Sequence, residues 1–470
     1  MATRRDQLQA YQFMMQRVIS AVMLRETDPE QTPLRRGVGS VFAGVMIAVL
    51  IAAGYGIYGI FTGIGGTSWK QPGAVIIERD TGATFLYQGS SLQPTLNYTS
   101  ARLLSAGHAG PFRVSGADLA GMPRGGATVG IPGAPMSLPA ASEAITKPWT
   151  MCSVLGDNGV GGLAPTTTLM VGAEVPGSTP LGERGLLVRD ESDKSVHLVW
   201  RDHRYRITGS SPDQLLRSVF GVQTAIEPVG TAWLNGLPAG QDIGPISVDN
   251  QGQSSTVLSG RKIGDIVFHP VGNGVQNYLV RGDGLAPITD FQVRVLRGQY
   301  SVQPVEISAA AANAAPTSNA LAPAAGEAAQ PAQPPTLAQV GDGGRAPVCS
   351  KATDAKTAAV VSLGGSATAL ATSLVTRAQT TGGTKLADRV LVPPGGVVVV
   401  RAMGSDKAEA GALNIVTDLG MRYPVPSVEV LVKLGYTPDK AVSMPAALVQ
   451  RIPAGPTLDP AAASSVHSVG

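Results

Sequence analysis

The first 61 residues carry two hydrophobic patterns that predict two different helices. In residues 6–26, apolar side chains recur at alternating spacings of three and four, which is typical of one apolar stripe on an amphipathic helix. The stripe consists of Leu8, Tyr11, Met15, Val18 and Val22. Residues 37–61 are instead apolar throughout. As a helix, these roughly 25 residues extend over more than ~35 Å, which exceeds the ~30 Å hydrocarbon core of a bilayer, so this pattern predicts a transmembrane helix.

The apolar run is interpreted as a retained membrane anchor. A cleaved signal peptide would be shorter and would begin nearer the N-terminus, and a helix buried in a soluble core is the other alternative. No charged residue lies between Arg36 and Lys70, and the only basic residues close behind the run are Lys70 and Arg79. Six arginines precede the run: Arg4, Arg5, Arg17, Arg25, Arg35 and Arg36. Because positive charge marks the cytoplasmic side, we expect a cytoplasmic N-terminus and an exported domain.

The cytoplasmic helix has no core of its own to pack on. A single helix cannot bury its own apolar face, so the stripe must contact either a partner protein or the inner surface of the membrane. The protein partner is the favoured interpretation. We therefore predict that the stripe binds a neighbouring subunit.

Cys152 and Cys349 are the only cysteines in the chain. Two cysteines in an exported domain are most simply explained by a disulfide. In the chain-entropy model, closing a loop of nearly 200 residues stabilises the fold by about 4 to 5 kcal/mol. A reactive thiol or a metal site is the alternative, and it is supported by neither a CxxC motif nor neighbouring histidines.

Four segments of the exported part resemble one another: residues 85–108, 197–222, 278–300 and 414–436. Each predicts a strand, a tight turn, a second strand and a short helix, and each is preceded by another predicted strand. The repeat is thus expected to be a small three-stranded unit with one helix. Wide and uneven spacing between the repeats indicates inserted material rather than a solenoid. The two insertions that carry the cysteines are expected to form a central β module.

The predicted fold class is α+β, mostly β: a single-pass anchor followed by an elongated exported domain with four small strand-helix repeats around a central β module. Two stretches rich in Ala, Pro and Gly are predicted to be disordered. The predicted segments are the cytoplasmic helix with its basic flank (1–36), the transmembrane helix (37–61), a Gly-rich linker (62–74), repeat 1 (75–108), the first part of the central module (109–184), repeat 2 (185–222), a connector (223–262), repeat 3 (263–306), a disordered Ala/Pro linker (307–347), the second part of the central module (348–396), repeat 4 (397–451) and a disordered tail (452–470).

Charge and motifs argue against nucleic-acid binding and against catalysis. The net charge is only +3, with 15% charged residues and no basic run after residue 36, so no nucleic-acid partner is expected. The Gly-rich stretch GGATVGIPGAP (125–135) resembles a phosphate-binding loop, but the chain has no Gly-Lys dipeptide and its prolines remove amide donors. We interpret it as a strand exit and turn.

No other constellation predicts a catalytic, cofactor-binding or metal site. The chain has neither a GxSxG nor an HExxH motif. His197 and His203 are expected on one side of a strand if that strand is unbroken, but a third metal ligand is missing. The acids Asp190, Glu191 and Asp193 are expected to be solvated in a turn.

Several motifs together resemble the EccB family, the membrane-anchored subunit of type VII (ESX) secretion systems. They are RRDQLQAYQFMMQRVISAVM, the single span, LNYTSARLL, LAGMPRGGATVGIPGAP, WTMCS and the later Cys349. The resemblance implies an elongated periplasmic domain with four repeats around a central module and a disulfide between the two cysteines. It also implies a place in an inner-membrane complex with EccC, EccD, EccE and other copies of the chain. The long Ala/Pro segment at 307–347 departs from the family pattern.

Three functional hypotheses follow from the residues and from the resemblance. The first is a structural core component of the secretion complex, located in the inner membrane with its main domain in the periplasm. The second is an ATP-hydrolysing subunit, because family members are sometimes labelled ATPases; ATP is a cofactor only under this hypothesis. The third is peptidoglycan binding through the repeats, which is weakened because their aromatic residues differ: Tyr87, Trp200 and Tyr278, with none at the corresponding place in the fourth.

Overall fold

The computed structural model describes residues 3–25, 33–62, 67–107, 110–157, 161–221, 225–368, 370, 374–376, 380 and 382–467. Residues 63–66 of the predicted Gly-rich linker (62–74), the segment 26–32 and the last residues of the predicted tail (468–470) lie outside the described residues. The described chain is mixed α/β with more strand than helix, and it contains several small sheets. The predicted fold class is therefore confirmed.

Two helices form the N-terminal part of the protein: α1 (Arg4–Leu24) and α2 (Pro33–Thr62). Helix α1 begins after Thr3, whose backbone N–H and hydroxyl both donate to the Asp6 carboxylate, at 2.9 and 2.7 Å. Residues Gly37–Gly59 of α2 form a single apolar stretch long enough to cross a bilayer, and none of it is buried against the rest of the described protein. The predicted span therefore corresponds to one continuous helix.

Four units of the exported part share the same order of elements, and a central sheet is built between them. Unit 1 (75–129) contains β1 (Val75–Glu78), β2 (Thr84–Tyr87), β3 (Leu92–Thr95), α3 (Tyr98–Leu104), β4 (Phe112–Val114), α4 (Gly116–Leu119) and β5 (Thr128–Val129). The chain then enters the central sheet with β6 (Trp149–Asp157), β7 (Leu163–Val171) and β8 (Thr179–Pro180). Unit 2 (185–243) contains β9 (Gly185–Asp190), β10 (Val196–Trp200), β11 (His203–Ile207), α5 (Pro212–Phe220), β12 (Glu227–Val229) and α6 (Thr231–Leu234).

The second half of the chain repeats this arrangement. Unit 3 (266–318) contains β13 (Ile266–Val271), β14 (Gly274–Val280), β15 (Leu285–Ile288), α7 (Asp290–Gln299), β16 (Val305–Glu306) and α8 (Ala309–Ala314). The central sheet is completed by β17 (Val348–Ala352), β18 (Val360–Leu363), β19 (Leu374–Val375) and β20 (Arg389–Leu391). Unit 4 (397–458) contains β21 (Val397–Met403), β22 (Gly411–Thr417), β23 (Arg422–Val425), α9 (Val428–Lys433), β24 (Val442–Pro445) and α10 (Ala446–Val449). The C-terminal elements are α11 (Pro460–Ala463) and β25 (Val466–His467).

Each unit is built on four strands in the order third, second, first, fourth, rather than the three strands predicted from the sequence, and in unit 1 β5 and β25 extend this sheet beyond the third strand. The first three strands are antiparallel, and the fourth is parallel to the first. A parallel neighbour needs a crossover connection, and the helix after the third strand provides it. The fourth strands of units 1 and 2 lie beyond the predicted repeat boundaries 75–108 and 185–222, because they are only three residues long and show no alternation of their own.

The helices pair the units two by two. Helix α5 of unit 2 packs on α7 of unit 3, where Leu216 and Phe291 share one buried core. Helix α3 of unit 1 contacts α9 of unit 4, where Leu103 and Leu431 share another core. Since one face of each small sheet is apolar, pairing through the helices lets two units bury these faces together.

The central sheet has seven strands in the order β19-β20-β7-β6-β17-β18-β8, and both cysteine-containing segments contribute to it. Its largest buried core includes Trp149 and Met151 and extends into unit 2 through Val188 and into unit 4 through Val400. The sheet therefore lies between the two pairs of units and packs on both.

The outer edge of every third strand is closed by the chain segment that follows the second helix of the same unit. We call these four segments the edge clamps: residues 123–125, 238–240, 316–318 and 453–455. In each clamp a proline carbonyl accepts the N–H of the first or second residue of the third strand, and the amide two residues later donates back to the same residue, at 2.7–3.0 Å. Open strand edges are sites of unwanted pairing. The clamps therefore complete each unit and protect it.

The clamps explain why the prediction of disorder for 307–347 and 452–470 is wrong for the described residues. Helix α8 and the third clamp lie in the first segment, and the fourth clamp lies in the second. Val340 is 7% exposed, Leu458 is fully buried, and β25 pairs with β5 of unit 1. Burying Ala and Pro side chains costs almost no rotamer entropy. Such segments therefore become ordered when neighbouring sheet edges use their backbone groups.

Candidate functional site

The predicted partner-binding stripe lies on α1 and is exposed along its whole length. Its side chains range from 44% exposure at Met15 to 78% at Val22, with Leu8, Tyr11 and Val18 between them. Helix α1 contacts α2, and Ser20 is buried at 2% exposure. Phe13, Met14 and Met23 are also exposed, so the apolar surface of α1 is broader than the predicted stripe. Binding of a partner by this surface stays a prediction.

Cys152 and Cys349 form a disulfide. They lie directly opposite each other on the neighbouring antiparallel strands β6 and β17, and both are at most 1% exposed. The bond closes a sequence separation of 197 residues, which contains units 2 and 3. In this bonded and buried form neither sulfur is available as a nucleophile or a metal ligand.

The Gly-rich stretch 125–135 uses its amides within the fold. The N–H of Gly125 donates to the Leu92 carbonyl in the first edge clamp, at 3.0 Å. The N–H of Ile131 donates to the Ser100 hydroxyl, at 2.8 Å. A phosphate-binding loop needs free amides; here they hold unit 1 together.

A polar cleft of about 390 Å³ in unit 2 is lined by six ionisable side chains. Asp190 and His197 lie at its base, at 5% and 4% exposure, and Arg204 is half-buried beside them. The exposed rim carries Asp193, Arg206 and Asp242 together with Ser192; Ser195, Thr231, Asn235, Ala239 and Gly240 complete the lining. Strand β10 pairs His197 with Arg206 of β11, which puts these two residues side by side.

His197 is held as a neutral hydrogen-bond donor. The Ser195 hydroxyl donates to the Asp193 carboxylate at 2.6 Å and lies 2.9 Å from Nε2 of His197. Because the serine proton points to the aspartate, Nε2 of His197 must donate to the serine oxygen, and Nδ1 has no hydrogen-bond partner among the residues that the structure describes. Burial, with Arg204 and Arg206 nearby, lowers the pKa of His197 to about 4.

The order of these contacts is not that of a nucleophilic triad. In a triad the histidine accepts the serine proton and the carboxylate orients the histidine through its other nitrogen. Here the carboxylate binds the serine instead, and a neutral donor at Nε2 cannot act as a base. The cleft is therefore suited to binding through charge and hydrogen bonds rather than to activating Ser195.

Two expectations about this region are wrong. His197 and His203 do not share a strand, because a two-residue turn at Arg201–Asp202 separates β10 from β11. Asp190 is not solvated: it ends β9, is buried, and accepts from the backbone N–H and hydroxyl of Ser192. Glu191 and Asp193 are exposed in the turn as expected. Among the described residues, no group of three His, Cys, Asp or Glu side chains could hold a metal ion.

Sequence reasoning missed Arg204 and Asp242 as parts of one cleft. They are 38 positions apart in sequence. They are brought together because the second edge clamp and the residues just after it run alongside β11 and pair with its backbone. Comparison of the repeats could have identified Arg204. In unit 4 Arg422 occupies the equivalent position, that of the third-strand residue whose backbone pairs with the edge clamp. No pattern marks Asp242.

Comparison with known proteins identifies the family. The sequence profile described as "Type VII secretion system ESX-1, transport TM domain B" matches residues 1–469. The ESX-3 secretion system ATPase EccB3 of Mycolicibacterium smegmatis is 28% identical over 98% of this chain and 90% of its own length.

Two solved structures share the fold. A chain of the intact ESX-5 inner membrane complex has a TM-score of 0.63 and 26% identity, covering all of this chain and 96% of that chain. The EccB3 dimer from the ESX-3 core complex has a TM-score of 0.62 and 26% identity, covering 84% of this chain and all of that chain. Because the family profile spans nearly the whole sequence, the protein belongs to the EccB family, the transmembrane component B of type VII secretion systems.

Proposed function

We propose that this chain is a structural core component of the inner-membrane complex of a type VII secretion system, where it scaffolds the periplasmic side and supports export of substrate proteins. The observation that carries the proposal is the match of the whole chain to a chain of the ESX-5 inner membrane complex. The anchor, the paired units and the clamped edges are what a rigid scaffold requires. None of them needs a chemical step.

The partners we propose differ on the two sides of the membrane. For the exported units the partner is a second copy of the chain, since EccB3 forms a dimer in the ESX-3 core complex. For α1 and the anchor the partners are the EccC, EccD and EccE subunits. Support for these comes from the exposed apolar surface of α1, because such a surface needs a cover in the assembled state.

Burial of the α1 stripe can supply a useful part of the assembly energy. Each buried side chain of the size of Met15 or Val18 contributes about 1.5 to 3 kcal/mol. The cost of ordering two partners on association reduces this sum. Two carboxylates in such an interface would make the contribution of the stripe to association unfavourable, because an unpaired buried charge is strongly unfavourable.

The test is a Met15→Asp/Val18→Asp double variant, purified through an affinity tag from detergent-solubilised membranes. We expect loss of the other subunits from the purified complex, while the protein remains in the membrane fraction because α2 is unchanged. A Gln9→Asp/Gln16→Asp variant adds the same charge on the exposed polar side of α1 and should leave complex yield unchanged. Unchanged yield of the first variant would show that the stripe lies on lipid instead.

The word ATPase in the names of the relatives provides the competing hypothesis. ATP hydrolysis through a P-loop requires a Gly-Lys dipeptide at its core, and the sequence has none. We expect the purified full-length protein to show no ATP turnover above that of a mock preparation. Turnover that a single substitution in this chain abolishes would contradict a purely structural role.

A further inference from the structure

The polar cleft of unit 2 differs from the equivalent part of unit 4. His197 and Asn414 occupy the same buried position on the second strand of their units, and both are at most 4% exposed. Arg204 and Arg422 occupy the same position at the start of the third strand. In both units the arginine Nε donates to the carbonyl just before the clamp proline, at 3.2 and 3.0 Å. One structural role of the arginine is therefore common to both units.

In unit 4 the arginine finds a further acceptor, and in unit 2 it does not. Arg422 donates a second hydrogen bond through Nη1 to the Asn414 side-chain oxygen, at 3.4 Å. His197 faces Ser195 with its donor nitrogen. Within the described residues, the side chain of Arg204 makes no second hydrogen bond. A half-buried guanidinium with unused donors beside an open cleft favours an incoming acceptor.

Three carboxylates line the cleft, Asp190 at its base and Asp193 and Asp242 on its rim. Oδ1 of the buried Asp190 accepts from the backbone N–H and hydroxyl of Ser192 and from the Thr231 hydroxyl, so this carboxylate holds the turn after β9 and the start of α6 in place. One oxygen of Asp193 accepts from Ser195, and the other lies 3.8 Å from Nη2 of Arg206. The Asp242 carboxylate is exposed, and among the described side chains it has no hydrogen-bond partner. Unused groups of both signs therefore line one cleft.

We propose that this cleft binds a small zwitterion, a free amino acid or short peptide, whose carboxylate contacts Arg204 and Arg206 and whose ammonium contacts Asp242 and Asp193. Guanidinium groups match the planar carboxylate. The cleft volume of about 390 Å³ lies in the range of small-molecule sites.

The balance of charge argues against simpler ligands. With His197 neutral, two arginines and three aspartates leave a local charge of 2 − 3 = −1. A phosphate dianion would be repelled by the three carboxylates, and a simple cation would leave the remaining guanidinium donors of Arg204 without an acceptor. A ligand with both charges and no net charge satisfies both sets. This inference does not depend on the proposed scaffold role.

The experiment titrates the detergent-solubilised full-length protein with alanyl-alanine and measures heat or the shift of the unfolding midpoint. N-acetylated and C-amidated forms of the same dipeptide remove one charge each. We expect saturable binding of the free dipeptide and about tenfold or weaker affinity for each blocked form, since one charged hydrogen-bonded contact is lost. Asp242→Asn and Arg206→Gln, both on the exposed rim, should weaken binding to a similar degree without affecting folding.

Asp406→Asn, an exposed aspartate in a loop of unit 4, is the matched control and should bind as the unchanged protein does. Three results would overturn the proposal. They are no saturable binding of the free dipeptide up to about 10 mM, equal binding of the blocked dipeptides, and tighter binding of inorganic phosphate than of the dipeptide. Arg204→Gln is not the primary test because Arg204 also bonds to the edge clamp.

Discussion

Gly455 in the fourth edge clamp offers a sharp test of the clamp geometry. A Cβ atom placed on Gly455 would lie 2.3 Å from Cε1 of Tyr423, which is itself 3% exposed. A buried tyrosine cannot move aside freely, so Gly455→Ala must displace either the ring or the clamp. Gly404 in the same unit has no atom within 4 Å of the position that its Cβ would occupy. Gly404→Ala is therefore the matched control.

The expected magnitude comes from two contributions. Overpacking a core by one methyl costs about 1 to 3 kcal/mol. Displacing the clamp also weakens the pair of hydrogen bonds between Arg422 and the segment 453–455, at 2.9 and 2.8 Å, each worth about 1 kcal/mol. We expect Gly455→Ala to lower the free energy of unfolding by about 2 to 4 kcal/mol, and Gly404→Ala to change it by less than about 0.5 kcal/mol.

The assay combines thermal unfolding of the detergent-solubilised full chain with hydrogen exchange. The amide of Arg422 should exchange faster in Gly455→Ala, while amides of unit 2 keep their protection. A Tyr423→Leu change removes the ring that causes the clash, so the double variant should be less destabilised than the sum of the single variants. Equal unfolding midpoints for Gly455→Ala and Gly404→Ala, with unchanged exchange at Arg422, would refute the reasoning.

Two further predictions concern single groups. Because the folded protein lowers the pKa of His197 from 6.5 to about 4 by burial, the unfolded chain binds a proton first, and stability should fall as the pH drops from about 6.5 to about 4. We expect this loss of stability to be of the order of 2 kcal/mol. In unfolding experiments at different pH, His197→Asn, which introduces the residue that unit 4 has at this position, should reduce the loss, whereas His203→Asn should leave it unchanged. Non-reducing electrophoresis should show an intramolecular Cys152–Cys349 bond, and Cys152→Ala/Cys349→Ala should lower stability by about 4 kcal/mol; free thiols at both positions in the mature protein would contradict this.

The sequence by itself determined the features that local periodicity encodes. Residues 37–59 carry no charged side chain and are strongly apolar on average, so a membrane span follows from length and composition. The stripe on α1 follows from the helical repeat, and the helix starts of the units are marked by residues such as Asn97, Thr289 and Ser427, whose side chains cap them. Two cysteines in an exported chain were enough to predict the disulfide.

Only the tertiary structure decided how the small sheets are completed. The fourth strands and the edge clamps are too short to show a hydrophobic pattern. They become ordered by pairing with sheet edges that distant residues contribute. Pro316 and Pro453 lie in segments whose composition predicts disorder, yet their carbonyls bind Leu285 and Arg422. The cleft in unit 2 has the same origin, because its rim residue Asp242 lies just after the second edge clamp, next to Ile243, whose backbone pairs with β11. Backbone hydrogen bonding to a neighbouring edge depends on where the edge lies and leaves no periodic mark in the sequence.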